Sequence, residues 1–337
     1  MFKIIGKLWH DGRIIGYRLQ QKDNCIDVVK AAVMQQLRLG NVDNYNVSLI
    51  NSGLRVYGAE DIDLHLKNCT TNNFKHDIFA TNTKYPYYVA ELISHGGTTF
   101  SSGALQKWDF EGYMIKGTGE YVTQAINEAY ISEVLYLTHI LTAKYGLIQV
   151  LNRNDSGILR NEAACITELF TGNKIDVRVL LRKDNSWNDK LIKLADCIQS
   201  VQEKQRLYDM FILDYIFVQR DRHMKNIEYL SSSGQYRLSP LFDFGGCLWY
   251  EIPDAQLRGL IFDDSDKTKI ESRTNFENVK FIRQLVNKVG FNLTALVTNS
   301  KVVMNKYAKY YGQVRSKFIV DLIERRVQVV REIFSHQ

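Results

Sequence analysis

The chain has 337 residues, of which 45% are hydrophobic and 24% are charged, as in folded soluble proteins. Its net charge of +6 suits an anionic ligand, but the basic residues are too scattered to indicate nucleic-acid binding. We find no signal peptide and no apolar run long enough to cross a bilayer, so a cytoplasmic protein is expected. Five dispersed cysteines without a Cys-x-x-Cys pair argue against a disulfide framework or a zinc site.

The first 66 residues are predicted to form a small α+β module. Residues 2–8 and 13–19 alternate like two strands of a hairpin turning at Asp11-Gly12. Residues 26–38 have the apolar spacing of a helix, and two short strands follow on either side of Asn51-Ser52-Gly53. Residues 67–84 are polar and rich in Asn and Thr, which indicates a connector.

Residues 85–186 are predicted to form a lobe of strands around one helix. Strands are expected at 85–93, 109–116, 146–151 and 162–170, with the helix at about 124–144. A mainly helical lobe should occupy 187–337, including helices over 203–217 and 315–334 whose apolar residues share one face. Strands followed by helices match a two-lobed α+β architecture.

The strongest chemical signal is Asp221-Arg-His-Met-Lys-Asn226, directly after an apolar helix. Phosphoryl transfer needs a carboxylate that orients the attacking hydroxyl and an oxygen ligand that helps to hold Mg²⁺. Asp221 and Asn226 in one short loop supply both. A second carboxylate, Asp243 in Asp-Phe-Gly245, follows after a turn at 231–234, and completes a typical Mg²⁺ ligand set. The order of these parts indicates an ATP-dependent kinase better than any one of them.

A cation and a loop for the nucleotide phosphates are also expected. Lys116 ends an apolar strand and is the candidate cation, with Glu128 or Glu133 of the next helix as its partner. Glu133 is preferred because it leaves more residues for the connection. The Gly/Ser/Thr stretch 96–103, with Ser102 and Gly103 at its end, offers backbone N–H groups to phosphates. It is not a Walker A sequence.

These residues resemble the HipA-like serine/threonine kinases of bacteria, with the cell-translocating kinase A type as the nearest likeness. The resemblance is specific over 209–248 and covers about 95–337. It implies a protein-kinase-like fold related to phosphoinositide kinases, with ATP and Mg²⁺ as cofactors. Asp221 would be the catalytic base, while Asn226 and Asp243 would bind the metal.

The resemblance implies further roles and one departure. Lys116 would grip the nucleotide phosphates, Lys225 would touch the transferring phosphate, and Glu168 and Phe170 would meet adenine at the inter-lobe hinge. Members of this group often carry an autophosphorylated serine in the phosphate loop, but Phe100 takes its place here. Candidate substitutes are Thr99, Ser101 and Ser102.

The resemblance implies a protein kinase, either a toxin or an effector. The module 1–66 matches no kinase part and is the expected docking site of an antitoxin or regulatory partner. Three other hypotheses remain open: an inositol-lipid or small-molecule kinase, AMP transfer on the same fold, and a non-catalytic binding module. The acidic stretch 249–269 argues against an anionic lipid surface.

Overall fold

A computed structural model describes the protein over 3–10, 13–21, 24–29, 46–49, 87–88, 107–110, 113–117, 121–153, 159–168, 172–181, 186–232, 235–267 and 273–335. Side chains are described at 107 and 113–117, and from 121 onward where the backbone is, apart from 149, 151–153, 159–162 and 232. The chain divides into two compact units. One unit contains 1–119 and 147–166, and the other contains 120–146 and 167–337.

The first unit begins with an antiparallel sheet of order β3-β2-β1-β4. Its strands are β1 (Lys3–His10), β2 (Arg13–Gln21), β3 (Asn24–Val29) and β4 (Asn46–Leu49). The β1–β2 pairing confirms the predicted hairpin.

The prediction of a helix over 26–38 is wrong at its start, because 26–29 belong to β3 and residues 30–38 lie outside the described part. A short apolar run fits a strand as well as a helix. Here the β-branched Ile26, Val28 and Val29 lie in a strand whose long-range pairing with β2 decides its state.

A second sheet has the order β5-β8-β9-β7-β6. Its strands are β5 (Tyr87–Tyr88), β6 (Lys107–Phe110), β7 (Tyr113–Gly117), β8 (Tyr145–Arg153) and β9 (Leu159–Glu168). The strand predicted over 109–116 is in fact the two antiparallel strands β6 and β7, in which Phe110 pairs with Tyr113. Gly112 between them is the turn signal that the prediction passed over.

The second unit contains six described helices. They are α1 (Thr123–Leu137), α2 (Trp187–Cys197), α3 (Val201–Ile216), α4 (Asn275–Leu285), α5 (Leu293–Tyr311) and α6 (Gln313–Ser335). Helix α3 is the centre of the core, since every residue from 209 to 216 is buried. Helices α1 and α5 pack against each other through Tyr130, whose ring meets those of Tyr307 and Tyr311 edge-on at 5.9 Å.

Helix α1 is shorter than the predicted 124–144. At its end Thr138 donates both its N–H and its hydroxyl to the carbonyl oxygen of Val134, and His139 is left-handed with φ 60°. The chain then turns so that Thr142 forms a parallel bridge with Leu241. Tertiary pairing therefore ends this helix earlier than its apolar spacing indicates.

A small antiparallel sheet of order β10-β11-β12 completes the second unit. Its strands are β10 (Asn173–Asp176), β11 (Glu228–Ser232) and β12 (Gln235–Leu238). The β11–β12 pair confirms the reversal predicted between Asn226 and Asp243. None of the described helices has the length and apolarity needed to cross a membrane. The mixed helix-and-sheet class is confirmed, and the boundaries at 66, 84 and 186 stay predictions.

Candidate active site

The loop with Asp221 begins where the buried helix α3 ends. Val218 adopts a left-handed φ of 54°, which is unusual for a β-branched residue and turns the chain out of the helix. The Gln219 N–H donates to the Asp214 carbonyl oxygen at 2.8 Å, which satisfies the helix end. A short 3₁₀ turn, Met224–Asn226, then leads into β11.

Arg222 ties this loop to its surroundings and is fully buried. Its Nε and Nη2 donate to the two oxygens of Asp214 at 2.9 and 2.8 Å. Its Nη1 donates to the carbonyl oxygens of Asn226 at 3.0 Å and Phe242 at 3.2 Å. Burial opposes the charge of Arg222, but the Asp214 carboxylate outweighs that effect and raises the pKa of the guanidinium. One side chain thus joins α3, the loop and the approach to Asp243.

Asn226 is buried in the same loop. Its Nδ2 donates to the carbonyl oxygen of Asp221 at 3.3 Å. Since the nitrogen makes this bond, the amide oxygen is the atom suited to a cation.

Asp243 has a left-handed backbone with φ 65°. After it, the Phe244 ring is fully buried and meets Phe217 edge-on at 6.4 Å. Gln219 brings Asp243 and Asp221 together: its Oε1 accepts from the Asp221 N–H at 2.9 Å, and its Nε2 donates to the Asp243 carbonyl oxygen at 2.7 Å. The structure therefore places Asp221, Asn226 and Asp243 in one site.

Helix α1 holds the segment that follows Asp243. The Glu128 Oε2 accepts from the Phe244 N–H at 2.8 Å. The Asn127 Nδ2 donates to the carbonyl oxygens of Gly245 at 3.3 Å and Cys247 at 2.7 Å, while the Tyr311 hydroxyl holds the Asn127 oxygen at 2.8 Å. Both α1 side chains are buried, so these bonds are shielded from water.

Glu133, the preferred partner of Lys116 in the sequence analysis, is engaged elsewhere. Its Oε2 accepts from Lys306 Nζ at 2.8 Å and from the Tyr307 hydroxyl at 3.0 Å, both on α5. Glu128 instead faces the Asp-Phe-Gly segment. The geometry favours Glu128 over Glu133 for a role at the site.

The other predicted residues have different environments. Lys116 lies on β7 in the first unit and is 5% exposed, which is unusual for lysine. Glu168, at the end of β9, and Lys225, in the 3₁₀ turn, are exposed. Ser102, Gly103 and Phe170 lie outside the described residues.

Three arginines bind the acidic segment after Asp243. Arg220 pairs with Glu251, Arg315 with Asp254, and Arg326 with Asp264 and Asp266. The segment 249–267 contains five carboxylates and two basic residues, Arg258 and Lys267. The three arginines that bind it from outside balance the remaining negative charge, which weakens the charge argument against an anionic acceptor.

The donor set fits a magnesium ion that is shared with phosphates. Asn226 and Asp243 offer an amide and carboxylate oxygens, which Mg²⁺ prefers, and Mg²⁺ commonly uses one or two carboxylates plus phosphate oxygens. No group of three or more His, Cys, Asp or Glu side chains placed to hold a metal occurs among the described residues.

Cys247 is fully buried, and burial raises the pKa of its thiol. A neutral thiol packs as a small apolar group.

This arrangement, a loop carboxylate with a nearby amide and a second carboxylate, is of the kind that transfers phosphoryl groups from nucleotides. No family model matches the chain. Over 147 residues it is 25% identical to the serine/threonine-protein kinase CtkA of Helicobacter pylori. That match spans 42% of this chain and 44% of the relative, less than half of its length. It supports a kinase-like protein, and confirms the resemblance to the cell-translocating kinase A type.

Two solved structures are similar over larger parts of the chain. The crystal structure of the Helicobacter pylori proinflammatory kinase CtkA has a TM-score of 0.48 and 15% identity, covering 71% of this chain and 92% of that one. The Shewanella oneidensis toxin–antitoxin protein HipA, in a complex with HipB and operator DNA, has a TM-score of 0.39 and 11% identity. That likeness covers 98% of this chain and 100% of HipA.

Sequence reasoning missed the residues that hold the site together. In the sequence, Gln219 and Arg222 stand out only because they are neighbours of Asp221. No sequence pattern points to Asn127, because its hydrogen-bond partners lie more than a hundred residues away along the chain. The adjacency of Gln219 and Arg222 to the loop carboxylate was the one available clue.

Proposed function

We propose that the protein is an ATP-dependent serine/threonine protein kinase of the HipA-like type. The observation that carries this proposal is the single site formed by Asp221, Asn226 and Asp243, in which Gln219 bonds the backbones of both aspartates. The sequence match to a serine/threonine kinase supports the same class of reaction.

In the proposed reaction Asp221 accepts the proton of a serine or threonine hydroxyl. The hydroxyl oxygen forms a bond to the γ-phosphorus of ATP, the bond from that phosphorus to the bridging oxygen breaks, and ADP leaves with the bonding pair. Asn226 Oδ1 and the Asp243 carboxylate would hold Mg²⁺, which neutralises phosphate charge when bound. Arg222 and Gln219 keep the loop in place.

The remaining candidate residues are proposed to bind the nucleotide. In this proposal Lys116 would bind the phosphates, and Glu128, rather than Glu133, is the α1 carboxylate with a role at the site. Backbone N–H groups at Ser102 and Gly103 would cover the phosphates, and Glu168 and Phe170 would meet adenine.

Two proposals concern the acceptor side. Lys225 is exposed in the 3₁₀ turn that follows Asp221 and would contact the transferring phosphate. Residues 1–66 would bind an antitoxin or another regulatory protein.

The test is incubation of the pure protein with Mg²⁺ and ATP, read by intact mass. The wild type should gain whole phosphate masses, while Asp221→Ala and Asp243→Ala should gain none. Asp196→Ala is the matched control, because that side chain lies on α2 and is 72% exposed. A gain of AMP mass instead would establish nucleotide transfer.

Radiolabelled ATP separates the acceptor classes. Label transferred only to an inositol lipid or a small molecule would refute a protein acceptor. Failure of Mg²⁺ and ATP to raise the unfolding temperature would favour the non-catalytic module.

A further inference from the structure

The peptide group between Asp243 and Phe244 is held on both of its polar sides by buried side chains. Its carbonyl oxygen accepts from Gln219 Nε2 at 2.7 Å, and its N–H donates to Glu128 Oε2 at 2.8 Å. Gln219 follows α3, whereas Glu128 lies in α1, so two separate elements meet on one peptide. Gln219 and Glu128 are 0% and 1% exposed. We call Gln219, this peptide and Glu128 the peptide clamp.

The clamp acts where the backbone is strained. Asp243 has φ 65°, a left-handed conformation that costs an L-residue roughly 1–2 kcal/mol. Rotation of the Asp243–Phe244 peptide toward a more common conformation would break both hydrogen bonds. Because each broken bond would leave a buried polar group unsatisfied, the clamp opposes that rotation. It therefore keeps the backbone that carries the Asp243 side chain in one conformation.

The same glutamine also reaches the other aspartate. Its Oε1 accepts from the Asp221 N–H at 2.9 Å. The two ends of one side-chain amide therefore bond to the two aspartates, since Oε1 accepts from Asp221 and Nε2 donates to Asp243. Only this orientation of the amide matches an N–H on one side and a carbonyl oxygen on the other.

The surroundings of Gln219 are closely packed. Asn275 Nδ2 donates to the Gln219 carbonyl oxygen at 3.0 Å. A Cβ atom at Gly246 would lie 3.1 Å from Gln219 Oε1 and 2.7 Å from the Asp221 Cβ. Gln219 is thus held on its backbone as well as through its side chain.

We propose that Gln219 is a positioning residue that sets the spacing between the base Asp221 and the metal ligand Asp243, and so determines how well the site binds Mg²⁺ with nucleotide. The inference rests on the proposed function. Gln219 touches neither reactant. It acts through the two aspartate backbones, with Glu128 holding the far side of the same peptide.

The test compares Gln219→Glu and Gln219→Met with the wild type. Glutamate keeps an acceptor for Asp221 but loses the donor to Asp243, and methionine has nearly the same shape without either bond. Gln205→Glu and Gln205→Met are the matched controls, because Gln205 also bridges two segments through its Nε2, to Asp209 at 2.9 Å and to the Lys288 carbonyl oxygen at 3.3 Å.

The measurement is the affinity for a non-hydrolysable ATP analogue across a Mg²⁺ titration, together with the unfolding temperature. Both Gln219 variants should need more Mg²⁺ to reach half of the affinity gain. The increase should be about tenfold for Gln219→Glu, which loses one buried hydrogen bond, and at least as large for Gln219→Met, which loses both. Their affinity for the analogue without Mg²⁺ should match the wild type. The Gln205 variants should keep the wild-type Mg²⁺ dependence, even where their unfolding temperatures fall.

A purely structural role predicts a different result. The unfolding temperature would fall, but the folded Gln219 variants would keep the wild-type Mg²⁺ dependence, and that outcome overturns the inference while leaving the proposed function standing. A wild type that binds no analogue with Mg²⁺ overturns both. If Gln219→Met does not fold, the same measurements are made on Gln219→Glu and Gly246→Ala. The methyl group added in Gly246→Ala would push directly against Asp221 and Gln219.

Discussion

Asp209 offers a quantitative test of the packing around α3, away from the proposed chemistry. Asp209 is 7% exposed, and its Oδ1 accepts from Gln205 Nε2 and from the Gly290 N–H, both at 2.9 Å. A Cβ at Gly290 would lie only 2.2 Å from Oδ2, so this oxygen packs against the Gly290 backbone. Burial raises the pKa of Asp209 from 3.8 to about 6, although the two hydrogen bonds oppose the shift.

The sign of the effect on stability follows from the raised pKa. Because the folded state holds the Asp209 proton more tightly than the unfolded state, the contribution of Asp209 to stability is fully present below about pH 4 and is lost as the pH rises through about 6. A shift of roughly two pKa units corresponds to about 3 kcal/mol, of which about 1.4 kcal/mol lies between pH 5 and 7.5. Asp209→Asn keeps an acceptor at Oδ1 but has no charge. It should therefore lack this dependence on pH.

The assay is urea unfolding of the wild type and of Asp209→Asn between pH 5 and 7.5, followed by the helical circular dichroism signal. The free energy of unfolding of the wild type should fall by about 1.4 kcal/mol relative to the variant over that range. Asp196→Asn, with a side chain 72% exposed, is the control and should follow the wild type. Parallel curves for the wild type and Asp209→Asn would refute the reasoning.

Three further predictions concern the site and its support. Asp214→Asn leaves the buried guanidinium of Arg222 without its counter-charge, so urea unfolding should show a loss of about 3–5 kcal/mol; a loss below 1 kcal/mol would contradict this. Glu128→Gln should lower phosphate transfer about tenfold or more, because it loses a charge-assisted hydrogen bond to the Phe244 N–H. Glu133→Gln should change phosphate transfer little, because the ion pair of Glu133 is partly exposed. A larger loss of transfer in Glu133→Gln than in Glu128→Gln would show that the roles of the two carboxylates are misassigned. Gly246→Ala places a Cβ atom 2.7 Å from the Cβ atom of Asp221, so it should cost about 1–3 kcal/mol of stability and lower phosphate transfer. If stability and phosphate transfer were both unchanged, the segments around Gly246 and Asp221 would not be in contact.

Much of the secondary structure followed from the sequence, because its signals are local. The apolar faces of α3 and α6 and the β1–β2 hairpin were predicted within a few residues. The errors arose where distant pairing overrides local preference. The run at 26–29 became a strand because it pairs with β2. The last turns predicted for α1 did not form, since Thr142 pairs with Leu241.

The sequence by itself determined the order and spacing of Asp221, Asn226 and Asp243, since a short loop and a hairpin keep such residues near one another. It did not decide between Glu128 and Glu133. Five residues along an α-helix correspond to about 140° of rotation, so these two side chains leave α1 in different directions. Only the packing of α1 between α5 and the segment after Asp243 shows that Glu133 meets Lys306 and Tyr307, while Glu128 meets the Phe244 N–H.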